Sequence, residues 1–208
     1  MSSLIPALAS AVPVAAGWSA HSMWLRRRLE VARRDPLTGL RTRAGFESAA
    51  ARLVARRSVA VIFVDLDGFK QLNDRLGHAT GDQAIRVAGT VMTETIGDGR
   101  GVVGRLGGDE FVAVVPLPGS HALPWLLNGL HECLTTPFVY QGRSVSHGAS
   151  LGGVFAPAGG SLSVLLRRAD EAMYAAKRDG GGWRVADLDA PHQPTTNGRR
   201  PGRTGGVS

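Results

Sequence analysis

Val59-Ala60-Val61-Ile62-Phe63-Val64-Asp65-Leu66-Asp67 is the stretch on which the fold turns. Its first six residues are apolar and mostly β-branched, the pattern of a strand buried on both faces in the middle of a sheet. The run stops at two acids one residue apart, so both carboxylates project from one side of the strand at its carboxyl end. Upstream, Phe46, Ala49, Ala50, Leu53 and Val54 recur at helical spacing. Before them Asp35-Pro36-Leu37-Thr38-Gly39-Leu40 has the chemistry of a tight turn. Downstream the pattern predicts a short helix over Phe69–Leu76, a loop over Gly77–Gly81 and a longer helix to Ile96. Val102–Leu106 and Phe111–Val115 read as strands joined by Gly107-Gly108-Asp109-Glu110, whose glycines supply positive φ. A helix over His121–Leu134 follows, then a strand over Ser144–Phe155 that Gly148, Gly152 and Gly153 weaken. Leu162, Leu165, Leu166, Ala169, Met173 and Ala176 make another helical stripe, and Trp183–Ala186 a last short strand. This order predicts an α/β fold, an α+β sandwich with a central mixed sheet flanked by helices.

The chain has 208 residues and a formal net charge of +7, a balance that by itself would suggest a nucleic-acid partner. The charge is concentrated at the ends. Residues 1–34 carry +4, residues 190–208 carry +3, and 35–189 are formally neutral. A neutral core argues against nucleic acid. Cys133 is the sole cysteine, which excludes an internal disulfide and a cysteine-based zinc site. The chain is therefore divided into an N-terminal segment 1–34, a core domain 35–189 and a tail 190–208 rich in Pro, Gly and Thr, expected to be disordered.

No charged residue precedes Arg26, and Leu4–Leu25 would span about 33 Å as a helix, enough for a bilayer core. Arg26-Arg27-Arg28 follows at once, and Trp18 and Trp24 sit near that boundary. Under the positive-inside rule the segment would be a single membrane anchor with everything after residue 25 in the cytoplasm. Its two prolines, three serines and six alanines fit equally a partner-packing helix or a disordered extension.

Three features carry chemistry. Asp65 and Asp67, with a main-chain carbonyl, offer the hard oxygen donors that Mg²⁺ prefers, although Asp67 could instead cap the helix after it. The Gly-Gly turn displays Asp109 and Glu110 where an acid from a neighbouring strand could complete the same site. Phe69-Lys70, Asn73 and Asp82 supply an amide and a carboxylate able to pair with the edge of guanine, or simply a solvated helix face. The chain holds 22 Arg but only two Lys, Lys70 and Lys177, each beside one of these features, where a compact ammonium suits phosphate.

The strings DPLTGLRTRAGF, DLDGFKQLNDRLGHATGD, RLGGDEF and ADEAMYAAKRDG follow one another across the neutral core. Together they closely resemble the GGDEF family, the diguanylate cyclases. The resemblance implies a fold related to nucleotide-cyclase and polymerase palm domains. It also implies that two GTP molecules condense to cyclic di-GMP and two pyrophosphates between two facing domains, hence a homodimer. Asp65, Asp109, Glu110 and the Leu66 carbonyl would hold divalent metals, two Mg²⁺ or Mn²⁺ per half-site. Asp109 would assist loss of the ribose 3′-hydroxyl proton, and Glu110 would support the turn and the second metal. Asn73 and Asp82 match the guanine-reading positions, with Phe69 beside them. Lys70, Arg105 and Lys177 match positions that neutralise phosphate charge, Lys70 also counting among the catalytic residues with Asp109 and Glu110.

Two departures stand out. The family's Arg-x-x-Asp product-inhibition motif is replaced by Asp98 and Gly101, with Arg100 out of register, so inhibition through that site is not expected. After Lys177 the family continues with Gly, a cation and Asn, whereas this chain has Gly180-Gly181-Gly182-Trp183. The lost cation would weaken GTP binding by about 1.5–3 kcal/mol unless Arg178 or Arg184 replaces it. An inactive GGDEF domain acting as a GTP-binding or protein-interaction module is the alternative that this departure keeps open.

Overall fold

The computed structural model of the chain describes residues 33–96 and 101–188, together with Trp18, His21, Met23 and Trp24. In chain order the elements are α1 (Arg43–Arg56), β1 (Val59–Asp67), α2 (Phe69–Leu76), α3 (His78–Ile96), β2 (Val102–Gly107) and β3 (Glu110–Pro116). They continue with α4 (Ala122–Thr135), β4 (Phe138–Tyr140), β5 (Arg143–Val145), β6 (Gly148–Ala156), α5 (Leu162–Arg178) and β7 (Gly182–Ala186). Five strands form one sheet in the order β2-β3-β1-β6-β7. Its pairings are antiparallel except β6 with β7, so the sheet is mixed, as expected.

The central strand is β1, and its alternation builds two cores. Ala60, Ile62, Val64 and Leu66 face α3 and α4, meeting Ile85, Met92, Leu123 and Leu127. Val59, Val61 and Phe63 face α1 and α5, meeting Phe46, Val54, Leu165, Ala169 and Met173. Both faces of the apolar run are thus covered. The same parity puts Asp65 and Asp67 on the side of α1 and α5, which decides what can reach them.

Three expectations need correction. Gly77–Gly81 is not a loop: α3 begins at His78, and Thr80 and Gly81 are buried in its first turns. Thr80 Oγ1 donates to the Leu76 carbonyl at 2.9 Å, which lets the chain reverse at Gly77 alone. The strand expected over Ser144–Phe155 is two strands in two sheets, since β5 pairs with β4 in a separate ribbon before β6 joins β1. The strand β4 lacks the length for a readable pattern and was missed by periodicity. The glycines that weakened the reading of β6 serve close packing. A Cβ on Gly152 would lie 2.0 Å from the Ala169 carbonyl oxygen and 2.2 Å from the Met173 nitrogen, so only glycine lets α5 approach the sheet.

The anchor expected over Leu4–Leu25 lies outside the described residues except at Trp18, His21, Met23 and Trp24, as does the tail 190–208. Among the described residues no helix is long and apolar enough to cross a membrane.

Candidate functional site

Asp65 lies at the end of β1 directly opposite Glu110 of β3 on one side and Ser150 of β6 on the other. Side chains directly opposed across a ladder share a face, with Cβ atoms about 4.5–5.5 Å apart. The turn before Glu110 is tight: β2 runs to Gly107 at φ 147°, Gly108 has φ 54°, and β3 starts at Glu110. Glu110 therefore belongs to the strand, and of the two acids Asp109 alone occupies the turn. The Leu66 N–H donates to the Asp109 carbonyl at 3.3 Å, tying that turn to β1. Lys177, from the last turn of α5, donates its ammonium to Asp65 Oδ1. Ser150 Oγ donates to Asp67 Oδ1 at 2.7 Å, while the residue capping α2 is Gly68 with no side-chain cap. Asp67 is thus held against β6 and does not cap the helix.

These carboxylates destabilise one another. Burial pushes the Asp65 carboxyl above its ordinary value, and the charges of Asp109 and Asp67 add to that push, so the bond from Lys177 does not reverse it. Burial likewise raises Glu110, helped by Asp65, Asp170 and Asp109, with only Arg43 opposing. Lys177 responds in the complementary sense. Its burial favours loss of the proton, but Asp65, Asp67 and Asp109 outweigh it and hold the ammonium above its usual range. One cation facing several acids leaves excess negative charge on oxygen donors, which fits a site for a divalent cation.

A measurable pH dependence follows. A carboxyl raised in the folded state binds its proton more tightly there than in the unfolded chain, so stability falls as pH rises from the unfolded value through the folded one. In chelator, the chain is expected to gain stability on acidification from neutrality towards the ordinary Asp and Glu values of 3.8 and 4.5. Glu110→Gln should remove part of that gain. Asp35 acts oppositely in a lower window, since its depressed carboxyl loses its contribution only as pH falls through a value below 3.8. Urea unfolding of both proteins across this range tests the sign; an unchanged pH slope in the variant would refute it.

The residues matched to base recognition lie on the paired helices α2 and α3. Asn73 packs against Gly81, where a Cβ would come within 2.0 Å of Asn73 Oδ1. That oxygen is buried and has no hydrogen-bond partner, next to the exposed Asp82. Phe69 is half-buried between the α3–α4 side of the core and a small cluster around Leu72, and Lys70 is exposed at the start of α2.

Arg105 is held by the chain on two sides. Its Nη1 donates to both oxygens of Asp35 at 3.0 and 3.1 Å, and its Nε and Nη2 donate to the Gly108 carbonyl at 3.0 and 2.7 Å. Every guanidinium nitrogen is engaged by the chain, so Arg105 is a clamp between the opening turn and the hairpin rather than a free cation. Thr38 completes it, donating to Asp35 Oδ1 from its N–H at 2.9 Å and its hydroxyl at 2.7 Å. Burial pushes the Asp35 carboxyl up, but the bonds from Thr38 and Arg105 together hold it below the usual range. Sequence reasoning read Asp35 only as a turn former and missed Ser150. The charged partner of Asp35 cannot be read locally, because Arg105 lies 70 residues away.

Neither substitute for the missing cation is free. Arg184 pairs with Asp179, and Arg178 stacks over the Tyr174 ring at 5.9 Å. Gly180, Gly181 and Gly182 have φ of 97°, 104° and 92°, a left-handed run that disfavours side chains. At the position of the family's inhibitory aspartate, a Cβ on Gly101 would meet Ile96 Cγ2 at 2.7 Å and its carbonyl at 2.9 Å. Asp98 lies outside the described residues.

The chain is similar to known proteins. An uncharacterised 19.3 kDa protein of Streptomyces ambofaciens is 43% identical over 167 residues, covering 77% of this chain and 87% of that protein. Diguanylate cyclase TpbB of Pseudomonas aeruginosa is 36% identical over 174 residues, covering 77% of this chain but only 39% of the longer relative. The solved structure of the isolated GGDEF domain of TpbB superposes with a TM-score of 0.69 at 34% identity, covering 75% of this chain and 95% of that domain. The family model described as diguanylate cyclase, GGDEF domain, matches residues 32–182, and the chain belongs to the GGDEF family.

Proposed function

We propose that this chain is a diguanylate cyclase, condensing two GTP molecules to cyclic di-GMP with release of two pyrophosphates. The observation that carries the reading is the register that sets Asp65 against Glu110 beside the Asp109 turn, with Lys177 as their cation. Asp65, Asp109, Glu110 and the Leu66 carbonyl would hold the divalent ions, Mg²⁺ or Mn²⁺, which when bound lower the cost of charge on the attacking and leaving oxygens.

The chain's own groups account for binding and proton transfer. Asn73 and Asp82 pair with the guanine edge, Asn73 through its amide and Asp82 through its exposed carboxylate. Lys70 and Lys177 balance phosphate charge. Asp109 accepts the 3′-hydroxyl proton as that oxygen bonds to the α-phosphorus of the other GTP, and the bond to pyrophosphate breaks. The second, symmetric transfer closes the ring. Each domain holds one GTP, so the reaction requires a homodimer of domains, each running over residues 35–189.

The alternative is a GGDEF domain that binds GTP without converting it, favoured by the glycines at 180–182 where the family carries a cation. One experiment separates the two. The full chain incubated with GTP and Mg²⁺ or Mn²⁺ is expected to yield cyclic di-GMP on chromatography. GTP that binds but stays unconverted, even in chains joined by a fused dimerising segment, would establish the alternative.

A further inference from the structure

The face of α2 opposite Lys70 and Asn73 borders a cavity. Gly68, Gln71, Leu72, Arg75 and Leu76 recur at one helical stripe and form one wall of a cavity of about 300 Å³. Ser144, Val145, Ser146 and His147, between the ribbon and β6, form the other wall, and Asp67 completes it. The volume is at the small end of ligand pockets.

Its polar groups are mostly donors exposed to solvent. The side chains of Gln71, Arg75, Ser144 and Ser146 make no hydrogen bond or ion pair with a described residue. His147 Nδ1 lies 3.1 Å from the Gly148 carbonyl, and its Nε2 is buried with no partner. Asp67 is the only acid in the lining, and one of its oxygens already accepts from Ser150. A guanidinium, two hydroxyls and an amide around a small space suit oxygen acceptors carrying negative charge.

We propose that this cavity binds a small molecule bearing a phosphate or carboxylate group, and that α2 carries its occupancy to the substrate-binding face. The helix is suited to that coupling. Its eight residues are bracketed by Gly68 at φ 69° and Gly77 at φ 84°. Its buried Leu72 meets Ala84 of α3 and Val145 of β5 in a cluster separate from the two main cores. An anion bridging Arg75 to Ser144 and Ser146 braces α2 against β5, and the same helix presents Lys70 and Asn73. By linkage, a helix ordered by one ligand binds the other more tightly, in both directions. The coupling half rests on the proposed GTP site; the binding half does not.

The test uses the full ¹⁵N-labelled chain titrated separately with inorganic phosphate and with malonate. Amide shifts at Gln71, Arg75 and Ser144–His147 are expected to saturate, and to be lost in Arg75→Gln and in the Ser144→Ala/Ser146→Ala double variant. Response to phosphate alone identifies a phosphate site, to malonate alone a carboxylate site, and to both a general oxyanion site. Shifts confined to Lys70 and Lys177, or shifts that persist in both variants, overturn the proposal, as does no response. Saturating anion is expected to tighten GTP binding by about fivefold in the wild type and not in Arg75→Gln. Anion binding with unchanged GTP affinity overturns the coupling. A chain that binds the anion but no GTP disproves the nucleotide reading while the anion site stands.

Discussion

Asp65→Asn is expected to leave a folded chain whose cyclic di-GMP synthesis has fallen by about 10²–10³-fold. The substitution keeps the shape and removes one negative charge from a cluster that burial and like charges already disfavour. In the folded protein the opposed Asp65 and Glu110 repel each other, so neutralising one relieves strain. Lys177 loses its direct partner but keeps the field of Asp67 and Asp109. These effects oppose each other, and the net change in stability should stay within about 1 kcal/mol. Activity has no such compensation, because a site that collects carboxylates for a cation and a phosphate loses its purpose with each one removed. Parallel thermal unfolding and product chromatography test this. A stability loss that accounts for the activity loss would make Asp65 a packing residue.

The second large effect is expected at the clamp. Arg105→Ala should destabilise the domain by about 1–3 kcal/mol, since it leaves the half-buried Asp35 carboxylate without its cation and frees the exposed Gly108 carbonyl. Turnover should fall further than stability explains, because the Gly108 carbonyl directly precedes Asp109. Arg105→Lys should restore little, as one ammonium cannot serve both the carboxylate and the carbonyl with the geometry of a guanidinium. A double-mutant cycle of Asp35→Asn with Arg105→Gln, read by urea unfolding, should give a coupling of about 1–3 kcal/mol. If Arg105 instead contacted phosphate, its loss would raise KM for GTP with stability intact, and Asp35→Asn would be additive with it.

The legible parts of this molecule were those in which one local pattern serves one local need. The apolar run ending in Asp65 announced a central strand because burial on both faces leaves no room for alternation, and the two cores on either side bear that out. Helices α1 and α5 carried their stripes openly. What escaped was set by distant partners. Thr80 and Gly81 looked like loop residues until α2 and α3 were seen to pack at Asn73. The ribbon of β4 and β5 has three-residue strands, too short for any period to register. At the site, the acids and Lys177 were named from the resemblance and the structure brings them together. The partners of Arg105 were not legible, because charge and position alone cannot show that a guanidinium reaches an aspartate 70 residues earlier.

The glycine run at 180–182 also limits what engineering can place there. Placing a cation at Gly181 takes one substitution, yet the backbone there holds φ 104° between two residues of the same hand. A new Cβ would in addition stand 3.1 Å from Asp67 Oδ2. The substitution would therefore cost about 1–2 kcal/mol of backbone strain before any gain from the charge. A basic side chain at 181 requires the turn to be rebuilt first, so phosphate affinity in this domain is expected to be easier to raise from other positions than from this one.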